Sequence, residues 1–404
     1  MTSINFNSIV EEIKKTFLSL YDKEPELISR APGRAEIIGN HTDYNNGYAL
    51  AAAVTRDTIT AIAKRTDDVV RVFSKDFATE PEEFSIKAME KGEHGYWVNY
   101  IKGVIFEIQK IKNDITGMDI VIDSDVPSSG GVSSSAALEL SLSTGIMKLF
   151  KIEMDPVKKA HMCQKAENGE MIGIPCGFLD QASSGLTKKN NLLFLDFQPT
   201  KDMPISEMRH IPVDLSQFEM SFVVIFDRSV KRNLGTSGYP ARRKQCERSV
   251  PILSELLNKE VNSLRDVSVS EFESCREKLE EMDPEMRMRV EHIVYENQRV
   301  LDAINALENK NIEEFGEILT ASGKSALELY ELDAETPELT KLVTKGREID
   351  GVVGMRNMGG GFSAIALALI ENQRFDSFKE NLNSIYGNGL EYIRFVPSDG
   401  AGII

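Results

Sequence analysis

This chain of 404 residues has only four cysteines, at 163, 176, 246 and 275, and no two of them are spaced as CxxC. A disulfide framework is therefore not expected, and reduced, structural thiols are. Histidine is scarce too: five residues, scattered, with no HExxH run, which argues against a structural zinc site. Long apolar runs are missing. The longest, Ala49–Val54 and Ala364–Ile370, fall far short of the roughly 18 residues that span a bilayer. The opening stretch MTSINFNSIVEEIKK lacks a basic start followed by an apolar block, so no secretory signal is expected and a cytoplasmic location is. Basic residues are in deficit. With 47 Lys and Arg against 63 Asp and Glu, the formal charge of −16 argues against nucleic acid as a partner. It does not exclude a nucleotide, which arrives as its Mg²⁺ complex and is held locally by a helix N-terminus and a few cations.

Apolar residues make up 41% and charged residues 27%, as in an ordinary globular protein, and the length suggests about two domains. Ile9, Ile13, Phe17 and Leu20 recur at helical spacing. Strand-like blocks rich in β-branched and small apolar residues fall at Ala49–Val54, Thr58–Ala63, Asp119–Asp123, Leu192–Asp196, Phe222–Phe226, Ala364–Ile370 and Tyr392–Val396. Helical patterns cover Ser134–Phe150, Pro156–Glu170 and most of 242–347, with the charged stretch 256–315 read as solvated helix faces. Strands and helices mix without regular βαβ alternation, so the expected class is α+β. The polar stretch Gln198–Pro212, with Pro199, Pro204 and Pro212, is the expected seam between domains 1–200 and 201–404.

Three glycine-bearing segments carry chemistry. In the first, a strand over Asp119–Asp123 runs into Gly130-Gly131, and a helix opens at Ser133, Ser134 and Ser135. Glycines let backbone approach a ligand, and first-turn N–H groups with the helix dipole make an anion site; the rival reading is a Gly-Ser turn with an N-cap. The second runs from Arg30 to Gly47 and packs Arg34, Glu36, Asn40, His41, Asp43, Tyr44 and Asn45 between glycines, a donor–acceptor mixture suited to a polyol. The third, Cys176–Gly185, places Asp180 in an apolar setting after Glu167, where a carboxylate can orient a hydroxyl. Two other motifs fail. Gly323-Lys324-Ser325 lacks the leading glycine of a P-loop, having Ile318 there, and Gly359-Gly360-Gly361 precedes a strand with no βαβ unit around it.

Together these segments resemble the GHMP kinases, and most closely the galactokinase family. PGRAEIIGNHTDYNNGYAL is similar to PGRVNLIGEHTDYNxGxVL, VPSSGGVSSSAALEL to PxxxGLSSSAAL, and RNMGGGFSAIALALI to RMTGGGFGGCxxAL. Tyr96–Gly103 resembles WxNYxKGV, Cys163–Glu167 with Pro175–Gln181 resembles CQxAE…PCGIMDQ, Ser237–Glu247 resembles SEYPxRRxQCE, and His292–Arg299 resembles HVxxENxR. The resemblance implies a two-domain GHMP fold, with an N-terminal domain like ribosomal protein S5, a C-terminal α+β domain and the active site in the cleft between them. It implies ATP as phosphoryl donor, Mg²⁺ as cofactor, a sugar 1-hydroxyl as acceptor, and a monomer. Asp180 would be the catalytic aspartate, as general base or orienting group, with Arg34 beside it. Asn40, His41, Asp43, Gly177 and Tyr239 would line the sugar; Trp97, Gly130, Gly131, Ser133, Ser134, Ser135 and Ala136 would meet the nucleotide. Ser134 or Ser135, with Glu167, would serve Mg²⁺.

The pattern breaks at two positions four residues apart. The family's asparagine is Glu36 here, and its glutamate, which faces the sugar near C6, is Asn40. The third motif also departs, with Asn357-Met358 and Ser363-Ala364-Ile365. Galactose is the expected sugar. A C6-modified hexose such as galacturonate, or a non-catalytic sugar and ATP sensor, are the alternatives, although Ser133–Ala137, Arg34 and Asp180 are all in place. Mevalonate or homoserine kinase activity would share the phosphate loop but not the HTDYN segment.

Overall fold

The expected helix at the N-terminus forms with Ile9, Val10, Ile13 and Phe17 buried, because their spacing puts them on one face. In a computed structural model that describes residues 6–128, 130–230, 238–387 and 389–404, twelve strands and twelve α-helices are assigned. Ser129 of the first glycine segment and Ser237 of the SGYPARR segment lie outside the described residues. The strands are β1 (Leu27–Ile38), β2 (Tyr48–Lys64), β3 (Val69–Ser74), β4 (Glu82–Ser85), β5 (Met118–Ser124), β6 (Asn191–Asp196), β7 (Glu207–Pro212), β8 (Met220–Asp227), β9 (Val352–Asn357), β10 (Ile365–Glu371), β11 (Leu390–Phe395) and β12 (Gly402–Ile403). The helices are α1 (Phe6–Tyr21), α2 (Val98–Gln109), α3 (Ser134–Leu149), α4 (Pro156–Asn168), α5 (Leu179–Leu186), α6 (Tyr239–Leu257), α7 (Val269–Met282), α8 (Pro284–Glu308), α9 (Ile312–Leu329), α10 (Leu332–Glu335), α11 (Pro337–Gly346) and α12 (Phe375–Tyr386).

Eight strands form one sheet in the order β12-β1-β2-β5-β3-β4, with β6 and β7 joined to it through β2; four form a second in the order β11-β8-β10-β9. One apolar core joins the two: Ile37, Leu50 and Phe194 from the first sheet pack with Phe222, Val224 and Leu367 from the second and with Val300 and Phe315 from α8 and α9. Helices α2, α3 and α4 pack together on the first sheet through Ile101, Leu140, Ile146 and Cys163.

Two runs expected as separate strands are one. β2 pairs with β6 over Tyr48–Ala51 and with β5 over Thr58–Lys64. The polar triplet Thr55-Arg56-Asp57 between them is not a turn. It is the polar stretch where the strand changes partner, held by Arg30–Asp57 and Arg56–Asp125 ion pairs. The proline-bearing stretch contains a strand. β7 pairs antiparallel with β6, from Asn191↔Pro212 to Asp196↔Glu207, so the stretch up to Pro212 belongs to the first sheet and a cut at 200 would pass between paired strands. β12 returns to pair with β1 in the same sheet. Among the described residues no helix is long and apolar enough to cross a membrane.

Candidate active site

β1 continues through a bulge in its pairing with β2 between Pro32 and Arg34, and a bulge re-aims the side chains that follow it. Glycine is required at 33 because a Cβ there would lie 2.7 Å from the Val132 carbonyl oxygen. That same carbonyl accepts from the Arg34 backbone N–H at 2.9 Å. The Arg34 guanidinium then joins the first and third glycine segments directly. Its Nε and Nη2 donate to Asp180 Oδ1 at 2.8 and 2.7 Å, and Nη1 donates to the Gly131 carbonyl at 2.6 Å. The Arg34 side chain is 7% exposed and that of Asp180 30%, so the pair is anchored on the arginine side and open on the aspartate side.

The glycine turn beside it is tightly placed. Gly131 and Ser133 both have left-handed backbone, φ 64° and 55°, and a Cβ on Gly131 would fall 2.4 Å from Ile365 Cδ1 on the second sheet. Helix α3 opens at Ser134 without a side-chain cap, and the Ser133 Oγ is buried with no hydrogen-bond partner. The first-turn N–H groups of a sixteen-residue helix, uncapped beside a glycine turn, are a site for an anion such as phosphate.

Behind this turn lies an acidic cluster. The Ser135 hydroxyl bonds Glu167, whose carboxyl is pushed up by burial and by Asp180. Gln181 Nε2 donates to Glu167 Oε2 at 2.6 Å and to Glu139 Oε2 at 3.0 Å. Neither Gln181 nor Glu139 was singled out from the sequence, although each stands inside a quoted motif. Among the described residues no three His, Cys, Asp or Glu side chains form a self-sufficient metal cage. A carboxylate with an adjacent serine hydroxyl at a glycine turn nevertheless fits Mg²⁺, which keeps waters and takes substrate phosphate oxygens as ligands.

On the other side of Asp180 the Arg30–Gly47 segment curls against α6 and α8. Asp43 Oδ2 lies 2.8 Å from where a Cβ on Gly177 would be, so Gly177 is glycine for lack of room. Burial, with Glu36 and Asp180 nearby, pushes the Asp43 carboxyl up to about 6. The His41 ring stacks on Tyr330 at 4.5 Å between centroids and lies 5.6 Å from the Tyr239 ring at the start of α6. Its Nδ1 is 3.2 Å from the Tyr44 hydroxyl, while its buried Nε2 has no partner. Burial, then His292 and Arg356, lower the pKa of His41, so the ring is neutral and offers an unfilled polar atom to a ligand.

The loop is held from below by α8. Glu296 Oε1 accepts from the Gly39 and Asn40 backbone N–H groups, both at 3.1 Å, and from Ser322 Oγ at 2.6 Å. Burial alone would raise its carboxyl, but Arg299, His292 and Arg356 outweigh that and hold it well below the usual range. His292 Nε2 donates to the Asn40 carbonyl at 3.2 Å, and Asn297 Oδ1 accepts from the Tyr48 N–H at 3.0 Å. These are the residues of the HVxxENxR-like segment, for which the sequence suggested no role.

Asn40 departs from expectation. It is 1% exposed, and its side chain turns inward: Nδ2 donates to Glu36 Oε1 at 3.2 Å and to the Gly359 carbonyl at 2.5 Å, and Oδ1 accepts from Asn357 Nδ2 at 3.0 Å. A planar amide with these partners braces the third glycine segment. Glu36 pairs in turn with Arg356, which is fully buried. Trp97 stands just before α2, stacked on Phe77 at 6.0 Å, and the hydrogen bonds and ring contacts of the described residues link it to none of the other candidates.

Two sheets over a shared core, with a glycine turn feeding an uncapped helix beside an Arg–Asp pair, define a GHMP-type kinase. The profile of the GHMP kinase N-terminal domain matches residues 99–188, and that of the galactokinase galactose-binding signature matches residues 15–64. A mevalonate kinase of Methanococcus jannaschii shares the fold, with a TM-score of 0.65 at 16% identity over 92% of this chain and 98% of its own. A galactokinase of Clostridium tetani is 33% identical over 390 residues, 96% of this chain and 94% of its own length. One from Clostridium acetobutylicum is 32% identical over 386 residues, 95% of each. The crystal structure of Lactococcus lactis galactokinase complexed with galactose matches with a TM-score of 0.87 at 27% identity, over 98% of this chain and 99% of that one. The chain belongs to the galactokinase family.

Proposed function

We propose that this chain transfers the γ-phosphoryl group of ATP to the anomeric hydroxyl of D-galactose, releasing ADP and galactose 1-phosphate. The observation that carries this is the Arg34 guanidinium, bonded at once to Asp180 and to the Gly131 carbonyl of the glycine turn. It sets the carboxylate that meets the hydroxyl next to the backbone that meets the phosphates. Phosphoryl transfer requires mainly such alignment and charge stabilisation.

In this reading Gly130, Gly131, Ser133, Ser134, Ser135 and Ala136 hold the triphosphate with backbone N–H groups and hydroxyls, and Trp97 meets the base. His41, Asp43, Gly177 and Tyr239 hold the sugar. Asp180 orients the C1 hydroxyl and receives its proton as the new O–P bond forms and the bond to the ADP oxygen breaks. Arg34 keeps Asp180 in place and offsets charge on the transferring group. Glu167 and Ser135 would hold Mg²⁺, with Ser134 the neighbouring hydroxyl at the same helix start. Bound there, Mg²⁺ supplies charge neutralisation for the phosphate oxygens.

A second reading follows from Asn40. With the carboxylate at Glu36 and the amide at Asn40 turned inward, acceptance of a C6-modified hexose such as galacturonate is the competing specificity. Incubation with ATP, Mg²⁺ and a panel of galactose, N-acetylgalactosamine and galacturonate, with the phosphorylated carbon located by NMR, tests both. Galactose 1-phosphate as the preferred product supports the first reading. No sugar-dependent ADP release would leave a non-catalytic sensor.

A further inference from the structure

The Glu139–Gln181 contact behind the phosphate turn is incomplete as ordinary protonation states would draw it. Both side chains are fully buried. Gln181 Nε2 gives one hydrogen to Glu139 Oε2 at 3.0 Å and the other to Glu167 Oε2 at 2.6 Å. Two buried acceptors then remain without partners: Glu139 Oε1 and Gln181 Oε1. They belong to two planar groups already joined by one hydrogen bond, and closing a second contact between those groups would bring the two oxygens together. Two facing acceptors repel, and each unpaired buried atom is costly. One proton on Glu139 Oε1 resolves both, because the acid O–H then donates to Gln181 Oε1. The reverse amide orientation is worse, since it would set an acceptor between two carboxyls.

The surroundings agree. Glu167 and Cys163 from α4, Asp180 from α5, Tyr100 from α2 and Cys176 from the loop before α5 interact with Glu139, and all of these are acids. Burial, then Glu167, push the Glu139 carboxyl well above the usual range.

We propose that Glu139 is a neutral carboxylic acid locked to Gln181 by two antiparallel hydrogen bonds, and that this acid–amide pair positions Glu167 and the helix carrying Asp180. The pair ties α3, which opens the phosphate site, to α5, which bears Asp180 next to Gln181, and leaves the second amide hydrogen to aim Glu167. Glu139 and Gln181 are thus positioning residues, and their role toward a cation rests on reading Glu167 as its ligand.

Two variants and one spectroscopic measurement test this on the full chain. Glu139→Gln replaces the acid by an amide that can form the same two-point pair, whereas Glu139→Leu abolishes it. Infrared difference spectra of ¹³C-glutamate-labelled protein are expected to show a neutral carboxylic acid band at pH 7 that Glu139→Gln removes. With Mg²⁺ titrated by calorimetry against a non-hydrolysable ATP analogue, Glu139→Gln is expected to stay within about twofold of the parent. Glu139→Leu is expected to weaken Mg²⁺ about tenfold, the usual scale for losing a group that orients a metal ligand, with little change in galactose KM. Absence of the band, or Glu139→Gln weakening Mg²⁺ as much as Glu139→Leu, would overturn the proposal. Should Glu139→Leu not fold, the band and Glu139→Gln decide. If the protein binds no nucleotide, the kinase reading fails, while the band still decides the acid–amide pair.

Discussion

Exchanging the charges at positions 36 and 40 by isosteric substitution would show whether the two act as one unit. Asn40→Asp keeps the shape of a 1% exposed side chain but turns its donor into an acceptor facing Glu36 Oε1 and the Gly359 carbonyl. Two hydrogen bonds are lost, at about 1–3 kcal/mol for each acceptor left unpaired. A second carboxylate near the first adds repulsion of about 4 kcal/mol at 4 Å and an effective dielectric constant of about 20, which proton uptake limits. A net loss of about 4 kcal/mol is expected. Glu36→Gln leaves the fully buried Arg356 without its carboxylate, costing about 3–5 kcal/mol. Independent effects would sum to about 7 kcal/mol or more, a large part of the 5–15 kcal/mol that stabilises a typical domain. In Glu36→Gln/Asn40→Asp the new amide at position 36 can donate to the new carboxylate at position 40, and one negative charge still faces Arg356. The pair is expected to lose only about 4 kcal/mol, a coupling of about 3 kcal/mol. Urea unfolding of the four proteins at pH 8 measures it. A double variant that loses the sum of the singles to within about 0.5 kcal/mol would refute the idea that these positions trade charge.

Other outcomes are more direct. Asp180→Asn is expected to lower kcat by about 10²–10⁴-fold while its circular dichroism spectrum stays unchanged, as for removal of a positioned acid–base group; near-normal turnover would remove Asp180 from the reaction. Gly177→Ala would set a Cβ 2.8 Å from Asp43 Oδ2, so galactose KM should rise with ATP KM little changed. The Asp43 carboxyl, raised from 3.8 to about 6, should make kcat/KM for galactose fall as pH drops through about 6, and Asp43→Asn should abolish that limb of the profile. The stability sign is opposite. A carboxyl raised in the folded state favours folding fully below its unfolded pKa and loses that contribution as pH rises through about 6. Asp43→Asn is accordingly expected to gain more stability at pH 8 than at pH 5, by roughly 1.4 kcal/mol in urea unfolding.

The periodic patterns determined most elements by themselves. α1, α3 and α4 and strands β5, β6, β8, β10 and β11 formed within a few residues of where apolar spacing put them, because a helix or a paired strand must bury one regular face. The glycine–serine turn and the catalytic candidates were legible for a similar reason: close backbone approach needs glycine, and few residue types carry this chemistry. What the linear order could not carry was partnership. β2 reads as two strands because its polar Thr55-Arg56-Asp57 interrupts the apolar pattern, and only β5 and β6 pairing on either side shows it to be one. β7 hides among prolines as an alternating edge strand. Glu296, His292 and Asn297 stand some 250 positions from the loop they hold, and their role exists only because α8 packs beneath it. Asn40 stands where a sugar contact was expected and turns inward because Glu36, Asn357 and Gly359 converge on it. Residue types set the available chemistry, whereas hydrogen-bond directions between distant segments, which have no signature in local order, assigned each group its work.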